Sequence, residues 1–199
     1  MKAAMLVVFA VSFAAPAGQI AVDPCSVQEK DPEWLVYDDG TAAWLSWGGM
    51  YRGVWFNVKD FNPSGAGAIV SQVEFWFYHH ASYPWDTSDF YAEIWSGDST
   101  CPISLLNQTQ TTAVHYAPVV VTYDPAIVCE AEFWVFVNPE MSSGGWPSIL
   151  SDGTPGTHSF FSDGLSWEPL DSGDYFIRAY AEITLALNNT TWGELKTVF

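Results

Sequence analysis

From Asp171 to Leu187 the chain reads DSGDYFIRAYAEITLAL, and its side chains alternate with a period of two. Tyr175, Ile177, Ala179, Ala181, Ile183 and Leu185 fall on one face, and Phe176, Arg178, Tyr180, Glu182 and Thr184 on the other. That period belongs to a strand with one buried and one wet face. It recurs upstream, where Val73, Phe75 and Phe77 alternate with Glu74, Trp76 and Tyr78, and Phe90, Ala92 and Ile94 with Tyr91, Glu93 and Trp95. No stretch sustains a helical period. Ala131 to Asn138 is apolar on both faces and is expected at a sheet centre, whereas Pro118 marks Val114 to Tyr123 as an edge or bulged strand. Nine or ten short strands separated by Gly, Pro and Asp turns predict an all-β fold of two packed antiparallel sheets. Strand number and size favour a jelly-roll-like sandwich, with an immunoglobulin-like topology as the alternative.

Residues 1–18 have the composition of a secretory signal: Lys2, an apolar run from Ala3 to Ala14, and small residues to Gly18. Residues 19–33 are polar and form a leader, and residues 34–187 make the sandwich. Residues 188–199 change composition and are expected to be a linker or the start of a truncated C-terminal region. The apolar run is too short to span a bilayer core, which needs ~20 residues, so an integral membrane protein is not expected.

With 23 acidic and six basic residues the net charge is −17, which disfavours nucleic acid and anionic membrane as partners. Cys25, Cys101 and Cys129 follow the signal. Export permits a disulfide, and a Cys101–Cys129 bridge would contribute roughly 3–4 kcal/mol in the loop-entropy account. A Cys25 pairing is the alternative.

Eleven Trp, nine Tyr and thirteen Phe are the most unusual feature of the composition. Trp76, Tyr78, Tyr91 and Trp95 alternate out of phase with the inward residues, so they are the candidate ligand-binding platform for stacking on carbohydrate or a cell-surface polymer. No cofactor is demanded by any motif. A structural calcium ion is the one candidate, because Asp residues recur at turns; Asp38, Asp39 and Asp152 are its candidate ligands, although no contiguous calcium loop exists. No catalytic residue is assigned. His79, His80, His115 and His158 lack metal spacing, no GxSxG occurs, and no spacing pairs Glu74, Glu93, Glu130, Glu132 or Glu182 across a cleft. Arg178 is expected to pair with Glu182 or with a carboxylate on an adjacent strand.

In order along the chain stand Tyr37-Asp38-Asp39-Gly40, the strand Val73 to Tyr78, Ile149 to Asp152, His158 to Phe161, Ser166-Trp167 and Gly173 to Ala179. This set resembles a β-sandwich module of secreted bacterial proteins, over roughly Glu33 to Leu185, with His158 departing from an expected basic residue. Asn189 to Lys196 is similar to the linker preceding the C-terminal sorting domain of type IX secreted proteins. The resemblance implies an extracellular accessory module within a longer secreted chain and carries no ligand with it. The functional expectation is therefore a non-catalytic secreted or cell-surface module that binds carbohydrate or polymer. A structural or adhesive spacer is the alternative, and an extracellular hydrolase the second.

Overall fold

The computed structural model describes residues 31–46 and 50–186. The signal segment, nearly all of the leader, Cys25 and the linker-like tail lie outside the described residues. Two antiparallel sheets pack face to face. One has the order β1 (Glu33–Leu35), β12 (Ile177–Leu185), β4 (Gly65–Trp76), β7 (Pro118–Glu130). The other runs β11 (Trp167–Pro169), β10 (Ser159–Ser162), β3 (Tyr51–Asn57), β8 (Glu132–Asn138), β5 (Asp89–Gly97), β6 (Pro102–Thr112). A two-stranded ribbon joins β2 (Trp44–Ser46) to β9 (Ile149–Ser151). The one helical element described is a single turn, Val58–Phe61, capped by the Asn57 side chain on the Lys59 amide.

Leaving aside β2 and the β9 to β11 insertion, eight strands remain. In chain order they are arranged first-eighth-third-sixth in one sheet and second-seventh-fourth-fifth in the other. That is the jelly-roll wrap, and it decides against the immunoglobulin arrangement.

The core is what the alternation predicts. Val73, Phe75 and Phe77 from one sheet meet Phe90, Ala92, Ile94, Val135 and Val137 from the other, all fully buried. The closing strand buries Ile177, Ala179, Ala181 and Ile183 and lies inside its sheet, between β1 and β4. Strand β8 is central, paired with both β3 and β5. Its outward residues Trp134 and Phe136 are also buried, because other aromatic rings cover them. Strand β7 begins at Pro118 and forms a sheet edge, as that proline requires.

Two expectations are corrected. Strand β6 has no counterpart in the sequence reading, because PISLLNQTQTT is an exposed edge strand without apolar alternation. The Cys101–Cys129 bridge is not made, and both thiols are free. Cys129 sits on the core-facing side of β7, where burial pushes its thiol up to about 12, while Cys101 lies in the turn leading into β6 of the opposite sheet.

Candidate functional site

The outer face of the six-stranded sheet carries cross-strand rows of aromatic and amide side chains. Register places Ser162 between Trp167 and Tyr51 in one row, and Gly53, Phe136, Glu93 and Gln108 in the next. Trp55, Trp134 and Trp95 follow in a third. Strands β3, β8, β5 and β6 build the floor, and the β10–β11 hairpin raises one wall. The result is an open cavity of about 400 Å³ lined by Tyr51, Trp95, Phe136 and Trp167, with Leu105 and Leu165 at its rim.

The rings support one another. Trp95 stacks on Phe136 at 5.7 Å and 25°, and Trp167 tilts against Phe136 at 5.2 Å and against Trp134 at 5.1 Å. Gly53 makes this packing possible, since a Cβ there would stand 2.5 Å from the Cβ of Phe136. Trp134 is fixed from beneath by donating its indole N–H to the Asp98 carbonyl at 2.9 Å.

Glu93 lies at the floor and is only 2% exposed. Its Oε2 accepts the Trp95 indole N–H at 2.6 Å, and its Oε1 accepts Gln108 at 2.7 Å and Asn138 at 2.8 Å. These three neutral donors fill three of the roughly four acceptor positions of a buried carboxylate and lock the Trp95 ring. Asn138 is oriented from both ends, because its Oδ1 accepts the Glu140 amide at 2.9 Å. Above it, the Tyr51 hydroxyl donates to Glu140 Oε1 at 3.0 Å. Burial, and then that carboxylate, push the Tyr51 phenol up to about 12, so it stays a donor at neutral pH.

Of the four predicted platform residues, Tyr91 and Trp95 belong to this face. Trp76 and Tyr78 extend from β4 over the outside of the opposite sheet, beside His115 and Tyr116. The single platform is therefore corrected to two separate aromatic faces. Alternation gives the side of a strand on which a ring lies, but not the sheet to which the strand belongs. The remaining rings of the cavity, Tyr51, Phe136 and Trp167, were not singled out from the sequence. For Phe136 the visible signal is the apolar character of β8 on its nominally wet face; Trp167 stands out only within the Ser166-Trp167 motif.

The three candidate calcium ligands are each engaged as latches. Arg178 grips Asp38 with two parallel bonds, Nε to Oδ2 at 2.8 Å and Nη2 to Oδ1 at 2.6 Å, and reaches Glu74 Oε1 at 3.0 Å. Its partners are thus an adjacent-strand carboxylate and Asp38, not Glu182. Asp152, 1% exposed, accepts the Asp39 amide at 2.8 Å, the Asp174 amide at 2.8 Å and the Thr154 amide at 3.2 Å. Gly173 allows this close approach, since a Cβ there would collide with the Asp152 carbonyl oxygen. Asp39 itself accepts the Thr154 hydroxyl at 2.8 Å, and this bond holds its carboxyl below the usual range.

Each carboxylate oxygen of Asp38, Asp39 and Asp152 accepts at least one protein donor. Among the described residues no group of three or more His, Cys, Asp or Glu side chains is arranged to hold a metal ion. With those oxygens engaged by protein donors, the melting temperature is expected to change by less than about 1 °C between excess calcium and EDTA, whereas an ion held by the native state would stabilise it by linkage. A fall of several degrees in EDTA would contradict this.

No family model matches the chain, and neither the curated proteins nor the solved structures provide a match. Among the described residues no helix is long and apolar enough to cross a membrane.

Proposed function

We propose that this domain is a secreted, non-catalytic carbohydrate-binding module, and that it holds sugar in the cavity between Trp95 and Trp167. The observation that carries this reading is the combination of rigid ring walls with side-chain amides and carboxylates fixed at the floor. Aromatic faces cover the apolar C–H surfaces of a pyranose, and oriented polar groups meet its hydroxyls. A cavity of about 400 Å³ also falls within the usual range of small-ligand sites, ~300–1,000 Å³. Export is supported by the signal-like first eighteen residues.

Tryptophan-fluorescence titration against a panel of defined oligosaccharides tests the proposal. At least one glycan is expected to bind, and Trp95→Ala or Trp167→Ala should weaken it about tenfold or more, as loss of a buried ring contact does. Trp76→Ala, on the opposite sheet, should have no effect. Silence from every glycan, or a loss confined to Trp76→Ala, would contradict the reading. The same mixtures are expected to release no new reducing ends; their appearance would favour the hydrolase.

A structural or adhesive spacer is the second reading. Its support is the edge strand β6, where Ile103 is 63%, Leu105 47% and Leu106 39% exposed, a surface suited to pairing with another chain. Sedimentation showing concentration-dependent association, abolished by Ile103→Lys, would favour it.

A further inference from the structure

The charges in the cavity are all of one sign. Glu93 and Glu140 both line it. The three basic side chains among the described residues, Arg52, Lys59 and Arg178, lie elsewhere. Arg52 follows Tyr51 on β3 but points to the other side of the sheet, where its Nη1 donates to the Pro147 carbonyl at 3.1 Å. Lys59 lies on the helical turn, and Arg178 is committed to Asp38 and Glu74 on the opposite sheet. Among the described residues neither cavity carboxylate has a cationic partner. The donors on Glu93 are two amides and an indole, and the one on Glu140 is a phenol.

Both carboxylates also keep capacity for a ligand. A carboxylate offers roughly four acceptor positions. Glu93 uses three, one of them on Oε2. Glu140 is exposed, and among the described residues its Oε2 has no hydrogen-bond donor. Around them stand the π-faces of Trp95, Trp167 and Tyr51, which attract cations as well as C–H groups. Acidic groups, ring faces and a net charge of −17 all favour a positively charged ligand and repel uronic or sulfated sugars. A bare ammonium or a linear cationic side chain would leave most of a cavity of about 400 Å³ unfilled, while a pyranose presents both a stackable face and a substituent.

We infer that the ligand of this cavity is an amino-sugar polymer with free ammonium groups, taken in preference to neutral and acidic glycans. This rests on the cavity being the glycan site. The ring of one unit lies against Trp95 and Trp167 while its ammonium sits between Glu93 and Glu140.

The test is calorimetric titration at mildly acid pH and low salt. Oligomers of equal length built from glucosamine, N-acetylglucosamine, glucose and galacturonate are compared with oligolysine. The glucosamine oligomer is expected to bind about tenfold tighter than the N-acetylated and glucose oligomers, the effect of one partly buried ion pair. That advantage should shrink as salt rises. Glu140→Gln, at an exposed position, should remove most of the advantage by weakening the glucosamine oligomer about tenfold and the glucose oligomer much less. Glu93→Gln, nearly the same in shape, should lower the advantage as well, with the near-ultraviolet circular dichroism reporting that the fold is kept.

Equal affinity for glucosamine and glucose oligomers, both lost in Trp95→Ala, would overturn the inference while leaving the carbohydrate site intact. So would oligolysine binding as tightly as glucosamine, or glucosamine binding that Trp95→Ala does not weaken. Either result would show attraction to acidic surface alone. Absence of binding by every oligomer would overturn the site itself.

Discussion

Arg178→Ala is expected to lower the stability of the domain by about 3–5 kcal/mol, the range for removing one partner of a buried ion pair. Its target, the Asp38 side chain, is fully buried, whereas the arginine is 21% exposed. Once the guanidinium is gone, the carboxylate keeps only the Gly40 amide, at 3.1 Å, as a donor. The damage also spreads along the chain. Arg178 joins the closing strand to Glu74 on β4 and to the loop after β1, and that loop is latched through Asp39 to Asp152 in the insertion. Arg178→Lys should recover only part of the loss, because an ammonium cannot repeat the two parallel bonds. Glu74→Gln should cost much less, since its side chain is partly exposed and keeps an oxygen for the arginine. Urea unfolding at neutral pH reads all three variants. A loss below about 1 kcal/mol in Arg178→Ala would mean that the pair behaves as a surface salt bridge.

Phe90→Ala carries a comparable cost, about 3–5 kcal/mol, for a different reason. Phe90 is fully buried on β5 and joins the two sheets. Its ring meets Phe75 of β4 edge-on at 5.4 Å and Phe77, just past the end of β4, at 4.9 Å. Truncation removes the transfer energy of the ring and leaves a void that the rigid β-framework closes only in part. The same substitution at Tyr91, one residue on but facing outward, is expected to cost far less. Equal losses at the two positions would show that the alternation along β5 has been misassigned.

That alternation is the part of the structure most legible in the sequence. Phe90, Ala92 and Ile94 point inward and Tyr91, Glu93 and Trp95 outward, because a strand has only two sides and apolar residues choose one of them. The same logic placed Ile177 to Ile183 inward and made Ala131 to Asn138 central. It failed at β6, whose Ser, Asn, Gln and Thr side chains line an edge strand that packs little against the core. It also could not say that β4 and β5 lie in different sheets, which is why Trp76 and Trp95 looked like one platform.

The candidate site was legible only in fragments. Glu93 and Trp95 were visible as neighbours on one face, but a glutamate on the wet side of a strand reads as solvated. Its burial comes from Gln108 and Asn138, fifteen and forty-five residues away. Trp167 reaches the cavity only because the β10–β11 hairpin extends the sheet past β3. Asp38 and Asp152 do lie beside turns, where their partners are an arginine and backbone amides that no local spacing reveals. Carboxylates beside backbone amides and an arginine close a loop as well as they hold an ion. Arg178, read from the sequence as a structural residue on the outer face, is the centre of that arrangement.

The most direct test of the central claim, a sugar site on the outer face of the six-stranded sheet, follows the tryptophan indole N–H resonances during glycan titration. Trp95 and Trp167 signals are expected to shift together and saturate, while Trp76 and Trp34, on the opposite sheet, stay still. Shifts confined to Trp76, or no shift at any indole with any glycan, would contradict the account.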